Sequence, residues 1–408
     1  MLFQPVLKHG LGTVDGGPDR PERVVQVERD GADAGKVKHG EGEYRMAFQP
    51  EPTYHHGTAA KTAILFCNLG TPAEPTAPAL RRYLAQFLGD GRVVEIPKPI
   101  WWLILHGIIL RVRPAKSAAK YASIWTEGGS PLKVWTERQA ALLQEQLQAQ
   151  GHQLTVRYAM RYGQPGIDEQ LDALKAEGVQ RVLLLPAYPQ YSGTTTASVF
   201  DAVYRWGLQV RQLPELRFVN HYHDDPGYIA ALAASVRAHW QANGQGEVLV
   251  MSFHGVPERT LQLGDPYHCE CMKTGRLLAE ALGLPRDKVR ITFQSRFGKA
   301  KWLEPYTEPT LIALAGQGIK HVDVICPGFT SDCLETLEEI QQEAQEAFVH
   351  AGGERFGYIP CLNDSPSWID AMASVVTRHL QGWDTRSSPD AQALAASRER
   401  ALSMGASR

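Results

Sequence analysis

An alternation of short apolar segments with longer amphipathic ones is the feature that most constrains how this chain can fold. Apolar, β-branched runs typical of buried strands occur at residues 62–68, 154–160, 180–187, 216–222, 247–254, 289–295, 319–327 and 356–361. Most of them are separated by stretches with apolar positions at helical spacing, at residues 131–150, 167–176, 228–241, 274–282 and 334–350. Strands and helices that alternate in this way predict parallel sheets with helical crossovers.

An internal repeat favours two open sheets over a single closed barrel. Asn-Leu-Gly-Thr-Pro ending at Pro72 corresponds to Phe-His-Gly-Val-Pro ending at Pro257, and Arg-Tyr-Gly at Arg161 corresponds to Arg-Phe-Gly at Arg296. Chance similarity among Gly and Pro turns is the alternative. We therefore expect an α/β protein with two duplicated, doubly wound parallel-sheet lobes and a ligand cleft between them, at the carboxyl ends of strands.

The repeat also sets the expected domain boundaries. Residues 61–244 are predicted to form the first lobe and residues 245–365 the second. The interval between matched motifs is longer in the first half, so the first lobe carries an apolar insertion near residues 90–130. A C-terminal helix at residues 366–385 is expected to pack back on the lobes, and residues 386–408 to form a flexible tail.

Residues 1–60 are rich in glycine and charge and show no apolar periodicity. Such a segment buries too little apolar area to offset the entropy lost on ordering, so we expect a disordered extension. A translation start assigned too far upstream is one explanation for residues 1–45.

Composition argues against several classes of function. The 42 Lys and Arg residues nearly balance the 44 Asp and Glu residues, which gives no electrostatic reason to expect nucleic acid as a partner. Six scattered cysteines do not form the pattern of a secreted disulfide scaffold. No stretch reaches the roughly 18–20 apolar residues that span a bilayer, and the N-terminus lacks the apolar core of an export signal. A cytoplasmic protein is expected.

The insertion contains the most apolar segment of the chain, residues 100–110 with the sequence IWWLILHGIIL, followed by Arg111 and Arg113. A buried helix is one interpretation. Its position outside the repeated core favours an exposed apolar lip over the cleft. Such a lip also allows loose, peripheral contact with a membrane.

An imidazole and a carboxylate follow strand ends in the second lobe. His254 ends the apolar run Val-Leu-Val-Met-Ser-Phe, and Glu335 follows the run that ends at Pro327. Because carboxyl ends of parallel strands meet at one sheet edge, both residues are expected at the cleft. Together they form an open site for a borderline divalent metal such as Fe²⁺, although a lone histidine at a strand end is more often structural.

Three glutamates, Glu335, Glu339 and Glu343, recur at helical spacing and predict one acidic stripe along a helix that begins near Asp332. A solvated acidic face is the common interpretation of such a pattern. Because the stripe begins at a metal candidate, we expect Asp332, Glu339 and Glu343 to relay the cation inward and protons outward.

Two other motifs are weaker. Cys269 and Cys271, with His268 beside them, can ligate a metal, but their spacing differs from that of zinc and iron–sulfur motifs and no second cysteine pair follows. The sequence Gly-Thr-Pro ending at Pro72 lacks the Gly-Lys-Ser/Thr ending of a phosphate loop, so no nucleotide is expected.

Seven short motifs are spread over residues 61–380: LGTP at Leu69, GGSPL at Gly128, LPAYPQYS at Leu185, SFHGVP at Ser252, GDPYHCEC at Gly264, QSRFG at Gln294 and CPGFTSDCLET at Cys326. Together they resemble the sequences of bacterial ferrochelatases. The resemblance implies the two-lobed chelatase fold, ferrous iron and protoporphyrin IX as substrates and partners, and protohaem plus two protons as products. It carries over His254 and Glu335 as the functional residues.

Under this resemblance neutral His254 is the expected proton acceptor, and Glu335 is an iron ligand or a second base; both are the predicted catalytic and metal-binding residues. A porphyrin has apolar faces and two propionates, so it needs an apolar cleft with basic residues near the mouth. The porphyrin-binding candidates are Leu69, Trp101, Arg111, Tyr121, Arg161 and Tyr191.

Two departures from the animal members of the family concern cysteines. No cysteine follows Cys361, so the two-iron cluster of those members is not expected, and no permanently bound cofactor is predicted. Cys333 stands where those members have a histidine. A monomer is favoured. A chelatase for coproporphyrin or another metal, and a non-catalytic tetrapyrrole or haem carrier, are the alternatives.

Overall fold

In residues 48–298 and 300–407, the part of the chain that the computed structural model describes, eight parallel strands form two sheets of four. The strands are β1 (Lys61–Gly70), β2 (Thr155–Tyr162), β3 (Val179–Pro186), β4 (Glu215–Phe218), β5 (Val248–His254), β6 (Val289–Gln294), β7 (His321–Ile325) and β8 (Arg355–Ile359). The strand orders are β2-β1-β3-β4 and β6-β5-β7-β8, so the second sheet repeats the first. The predicted duplication into two α/β lobes is confirmed.

Helices connect the strands and flank the sheets. They are α1 (Ala77–Leu88), α2 (Lys98–Ile104), α3 (Leu110–Ile124), α4 (Pro131–Ala149), α5 (Ile167–Ala176), α6 (Thr196–Gly207), α7 (Pro226–Asn243), α8 (Glu258–Gln262), α9 (Tyr267–Leu282), α10 (Thr307–Gly316), α11 (Leu334–Leu337), α12 (Gln345–His350), α13 (Pro366–His379) and α14 (Ala391–Ser403). Short π-helical segments precede α3 and α12. Among the described residues, no helix combines the length and the apolar character needed to cross a bilayer.

The central strands are apolar without interruption because both faces of each sheet are covered. In β1, Ile64 and Phe66 belong to an apolar cluster shared by both lobes, whereas Leu65 points into a cluster confined to the first lobe. In β5, Met251 belongs to the same shared cluster, as does the fully buried Trp368 of α13. Helix α13 therefore packs against an apolar cluster to which both lobes contribute.

The apolar insertion is helical rather than a loop, and it has a buried face and an exposed face. Trp101, Leu105 and Leu110 are buried, and the Trp101 indole N–H donates to the Leu88 carbonyl at 2.6 Å. The other face exposes large apolar side chains: Ile100, Trp102, Leu103, Ile108 and Val112. The insertion thus has one buried face and one exposed apolar face, and Trp101, a porphyrin-binding candidate, belongs to the buried one.

Two expected boundaries differ from the structure at the ends of the described chain. The disordered extension was expected to reach residue 60, but Glu51 accepts hydrogen bonds from the backbone N–H groups of Arg211 and Gln212 and pairs with Lys175 at 2.6 Å. Residues 1–47, to which most of that prediction applies, lie outside the described residues. The expected flexible tail contains α14, whose first turn is capped by the Asp390 carboxylate.

Candidate functional site

His254 lies at the carboxyl end of β5, where the sheet edge leaves its imidazole half-buried. All six preceding residues of the strand are buried, so the strand direction fixes where the imidazole emerges. The rings of Trp302 and Phe329 each lie 6.4 Å from the imidazole, centroid to centroid. These aromatic rings surround the histidine with apolar surface.

The backbone after His254 fixes the tautomer of the neutral imidazole. Its Nδ1 atom lies 2.6 Å from the Gly255 carbonyl oxygen, which accepts a hydrogen bond, so in the neutral ring Nδ1 carries the proton and Nε2 is an acceptor. Glycine is required here because a Cβ atom on Gly255 would lie 2.8 Å from the Gln294 carbonyl oxygen and 3.1 Å from the Trp302 ring. The close approach also allows the Gly255 N–H to donate to the Gln294 carbonyl at 2.8 Å.

Gln294 connects the two predicted catalytic residues. It pairs with His254 in the register of β5 and β6, and its side-chain amide donates to the Glu335 backbone carbonyl at 2.7 Å. The same amide lies 3.3 Å from a carboxylate oxygen of Glu339. The buried side chain of Gln294 therefore helps the second sheet to position the helix that begins with α11 relative to His254.

Glu335 is half-buried and has neutral groups around it. Tyr83 and Tyr121, from the first lobe, belong to an apolar cluster that also packs against Leu334 of α11. Burial raises the pKa of both phenols, and the nearby Glu335 carboxylate raises each further. Burial likewise raises the pKa of the Cys333 thiol, with Glu335 again adding to the effect. The side chain of Glu335 is therefore flanked by two phenols and a thiol that stay uncharged at neutral pH.

The predicted acidic stripe is not continuous, which corrects the expectation of a single regular helix. A π-helical segment, Glu339–Ala344, follows α11, and the Glu343 N–H donates to the Glu338 carbonyl at 3.0 Å. Because a π turn adds one residue, Glu343 falls in line with Glu338 rather than with Glu339. Lys120 of α3 then pairs with Glu338 at 2.7 Å and with Glu343 at 2.8 Å.

Glu339 is directed toward the second sheet instead. Its carboxylate accepts from the Ser295 N–H at 2.6 Å and also from the Ser295 hydroxyl. Ser295 has φ of 64°, a left-handed conformation that costs a non-glycine residue free energy. The predicted relay residues Glu339 and Glu343 thus lie apart: Glu339 faces the second sheet, and the exposed Glu343 shares Lys120 with the buried Glu338.

Asp332, the remaining relay candidate, is buried in a hydrogen-bond network. Its carboxylate accepts from the Tyr358 hydroxyl at 2.5 Å, the Asn363 side-chain amide at 2.7 Å and the Cys361 N–H at 3.2 Å. Its own N–H donates to the Asn363 side chain at 2.9 Å. These bonds hold the loop before α11 in place, so the structure gives Asp332 a positioning role.

The porphyrin-binding candidates fall into different environments. Leu69, Trp101 and Tyr121 share the apolar cluster that contains Tyr83. Arg111 is exposed on the insertion, and Tyr191 is half-buried. Arg161 is engaged internally: its guanidinium lies 2.5 Å from Asp90 and donates to the Ser198 carbonyl at 2.8 Å. Arg161 therefore joins the insertion to the first sheet.

Three residues of the site were not predicted from the sequence: Gln294, Tyr83 and Lys120. Gln294 begins one of the seven motifs and follows an apolar strand, which is a usable signal. Tyr83 and Lys120 carry no such signal, since both lie on helices of the first lobe and meet Glu335 and Glu338 only after the lobes pack together.

Comparisons with known proteins identify one family. Residues 61–380 match the family model described as Ferrochelatase. The ferrochelatase of Polaromonas sp. (strain JS666) is 69% identical over 367 residues, which covers 89% of this chain and 100% of the relative. That of Methylibium petroleiphilum is 67% identical over 361 residues, covering 88% and 99%. That of Nitrosomonas europaea is 54% identical over 358 residues, covering 88% and 98%.

A solved structure described as SirB from Bacillus subtilis with Fe³⁺ aligns at a TM-score of 0.48 and 13% sequence identity. The alignment covers 79% of this chain and 96% of that chain.

Proposed function

The chain belongs to the ferrochelatase family, enzymes that insert iron into a porphyrin in haem synthesis, and we propose protoporphyrin IX as its porphyrin and His254 and Glu335 as the residues that carry the reaction. The enzyme is a lyase, with ferrous iron as substrate. The observation that carries the residue assignment is the link through Gln294, which ties the strand ending in His254 to the helix that contains Glu335.

His254 acts as the proton acceptor. Metal insertion releases two pyrrole protons, and each needs a base within hydrogen-bonding reach. With Nδ1 donating to Gly255, the free Nε2 lone pair is the accepting atom. The aromatic rings of Trp302 and Phe329 limit the access of water to the imidazole.

Glu335 supplies negative charge on the porphyrin side of α11. A carboxylate suits both tasks that remain, which are binding the cation and accepting the second proton. Tyr83, Tyr121 and Cys333 stay neutral around it because burial raises the pKa of each group. The cation is therefore attracted to Glu335 rather than to these neighbours.

Glu339, the buried Glu338 and the exposed Glu343 extend the acidic series from the site to the surface. Glu339 accepts from Ser295, close to the His254 strand, and serves as the inner member of the proposed proton and metal relay. Glu343 is exposed and shares Lys120 with Glu338, so it forms the outer end. Ferrous iron enters from this end in the proposed scheme.

The exposed face of α2 and α3 serves as an apolar lip. It presents Trp102 and Leu103 to solvent, while Arg111 provides a positive charge suited to a propionate or an anionic headgroup. We assign to this face porphyrin entry and peripheral membrane contact in the cytoplasm.

One assay tests the proposal against its alternatives. Purified full-length protein is incubated anaerobically with Fe²⁺ and either protoporphyrin IX or coproporphyrin, and haem formation is followed by absorbance. Faster turnover of protoporphyrin IX is expected, since the four carboxylates of coproporphyrin require more basic partners. Turnover of coproporphyrin alone would replace the substrate assignment, and tight binding of either porphyrin without insertion would indicate a carrier.

A further inference from the structure

Two histidines and a glutamate meet at the junction of the lobes, apart from the residues assigned to iron insertion. His221 and His223 lie in the segment after β4 of the first lobe, and Glu270 lies in the first turn of α9 in the second lobe. The Nδ1 atom of His221 is 2.7 Å from one Glu270 oxygen, and that of His223 is 3.2 Å from the other. The candidate ligand atoms all lie within 4.8 Å of one another.

Burial makes this cluster unusual. The side chains of His223 and Glu270 are only 7% and 8% exposed, whereas that of His221 is 46% exposed and opens the cluster to solvent. Although it is close to Glu270, Nδ1 of His223 makes no hydrogen bond of acceptable geometry within the described part of the chain. A buried imidazole nitrogen without a hydrogen-bond partner, beside a carboxylate, is a candidate ligand for a cation.

Charged and polar groups surround the three side chains. The far nitrogen of His223 lies 4.0 Å from the Asp224 carboxylate, too far for a direct hydrogen bond, and Asp224 pairs with Lys273. The Tyr191 N–H donates to Glu270 at 2.7 Å, which holds the carboxylate in place.

We propose that His221, His223 and Glu270 bind one borderline divalent cation, of the Zn²⁺ or Fe²⁺ class, through Nδ1 of both histidines and a carboxylate oxygen. Two imidazoles and one carboxylate are a ligand set that both metals accept, with water in the remaining positions. Bonds of about 2.0–2.2 Å require the ligand atoms to move closer together, which the half-exposed His221 side chain can accommodate. The bound cation connects the two lobes and fixes the segment that contains Tyr191.

The test measures Zn²⁺ binding rather than catalysis. Metal-free full-length protein is dialysed against Zn²⁺, the bound metal is counted by mass spectrometry, and melting is recorded with and without Zn²⁺. His221→Ala, at the half-exposed position, preserves the fold and is expected to weaken this site at least tenfold and to abolish its share of the Zn²⁺-dependent rise in Tm. Glu270→Gln keeps the size of the side chain and is expected to lose one equivalent of Zn²⁺.

Two matched controls separate this site from others. Cys269→Ala removes the exposed thiol beside Glu270, and His350→Ala removes an exposed histidine on α12; both are expected to retain the wild-type equivalents of Zn²⁺. His254→Ala is also expected to retain the equivalent bound at this site, so failure of the iron-insertion assignment leaves this test intact. Unchanged Zn²⁺ binding in His221→Ala and Glu270→Gln, or loss in Cys269→Ala, would overturn the proposal.

Discussion

His254 and Glu335 occupy strand-end and helix-start positions, where side chains can be exchanged without removing core volume. His254→Ala and Glu335→Gln are each expected to lower iron insertion by about 10²-fold or more, because an essential base or metal ligand is lost. Tm should shift by only a few degrees, since neither side chain is fully buried. Anaerobic initial rates and thermal melting measure the two effects. Insertion within about threefold of the wild-type rate would contradict the assignment.

Asp90 is a second residue whose role the structure defines. Burial by itself raises the pKa of Asp90, but hydrogen bonds from Ser198, the Arg92 N–H and Tyr162, together with the charge of Arg161, outweigh burial and hold this pKa below its ordinary value. The carboxylate form is therefore the one that stabilises the fold. Replacing it leaves the nearly buried Arg161 guanidinium without its ion-pair partner.

Asp90→Asn is accordingly expected to lower the free energy of unfolding by about 2–3 kcal/mol at neutral pH. A lowered folded-state pKa gives stability that is present above the unfolded value, near 3.9, and lost as pH falls through the folded value. The difference between wild type and variant should thus be constant from about pH 5 to 8 and shrink below about pH 4. Urea unfolding across this range measures it.

Asp201→Asn is the control for this prediction. Asp201 pairs with Arg92 at 2.9 Å, but both side chains are substantially exposed, so the cost should stay below about 1 kcal/mol. An equal loss in the free energy of unfolding for the two variants would show that burial of the Asp90–Arg161 pair does not determine its contribution to stability.

At the scale of elements, the two faces of α2 allow a paired prediction. Leu103 is 65% exposed and Trp101 is 9% exposed. Leu103→Glu is expected to weaken binding to vesicles containing phosphatidylglycerol and to weaken porphyrin affinity, with Tm nearly unchanged. Trp101→Glu should cost about 3–5 kcal/mol, because it places a charge in the apolar cluster and removes the hydrogen bond to Leu88.

Vesicle co-sedimentation, porphyrin fluorescence quenching and melting measure both variants. A large fall in Tm for Leu103→Glu with unchanged vesicle and porphyrin binding would end the lip assignment. The periodic pattern in the sequence marks this segment as apolar but does not separate its faces, because apolar residues occur on both of them.

The π-helical segment after α11 shows that residue spacing alone does not predict which side chains share one face of a helix. A spacing of four residues aligns Glu335, Glu339 and Glu343 only on a regular α-helix, and one π turn is enough to shift Glu343 to the side of Glu338. Lys120 stabilises this arrangement from the other lobe. Nothing in the local sequence specifies a partner that lies more than two hundred residues away.

At the scale of the whole molecule, residues 1–45 and Glu51 are expected to contribute differently to stability. Deleting residues 1–45 is expected to leave iron insertion unchanged and to shift Tm by less than about 5 °C, since that stretch lacks an apolar pattern that could dock on a core. Glu51→Gln, by contrast, is expected to lower Tm by a few degrees, because Glu51 pairs with Lys175 and accepts from two backbone N–H groups. Melting and initial rates of the two variants compare these effects, and a larger loss from the deletion than from Glu51→Gln would show that residues 1–45 are structural.

Local sequence patterns and the order of the elements along the chain were sufficient to predict much of this fold. The sequence by itself determined eight strands, their grouping into two lobes, His254 at a strand end and Glu335 near the start of a helix, because apolar periodicity and the direction of parallel strands are encoded along the chain. The tertiary structure alone decided that Gln294 joins these two residues, that Lys120 reaches Glu338, that Trp101 faces inward and that His221 and His223 meet Glu270. Each of these contacts joins residues distant in sequence, and their distances depend on how the lobes and helices pack, which no local pattern specifies.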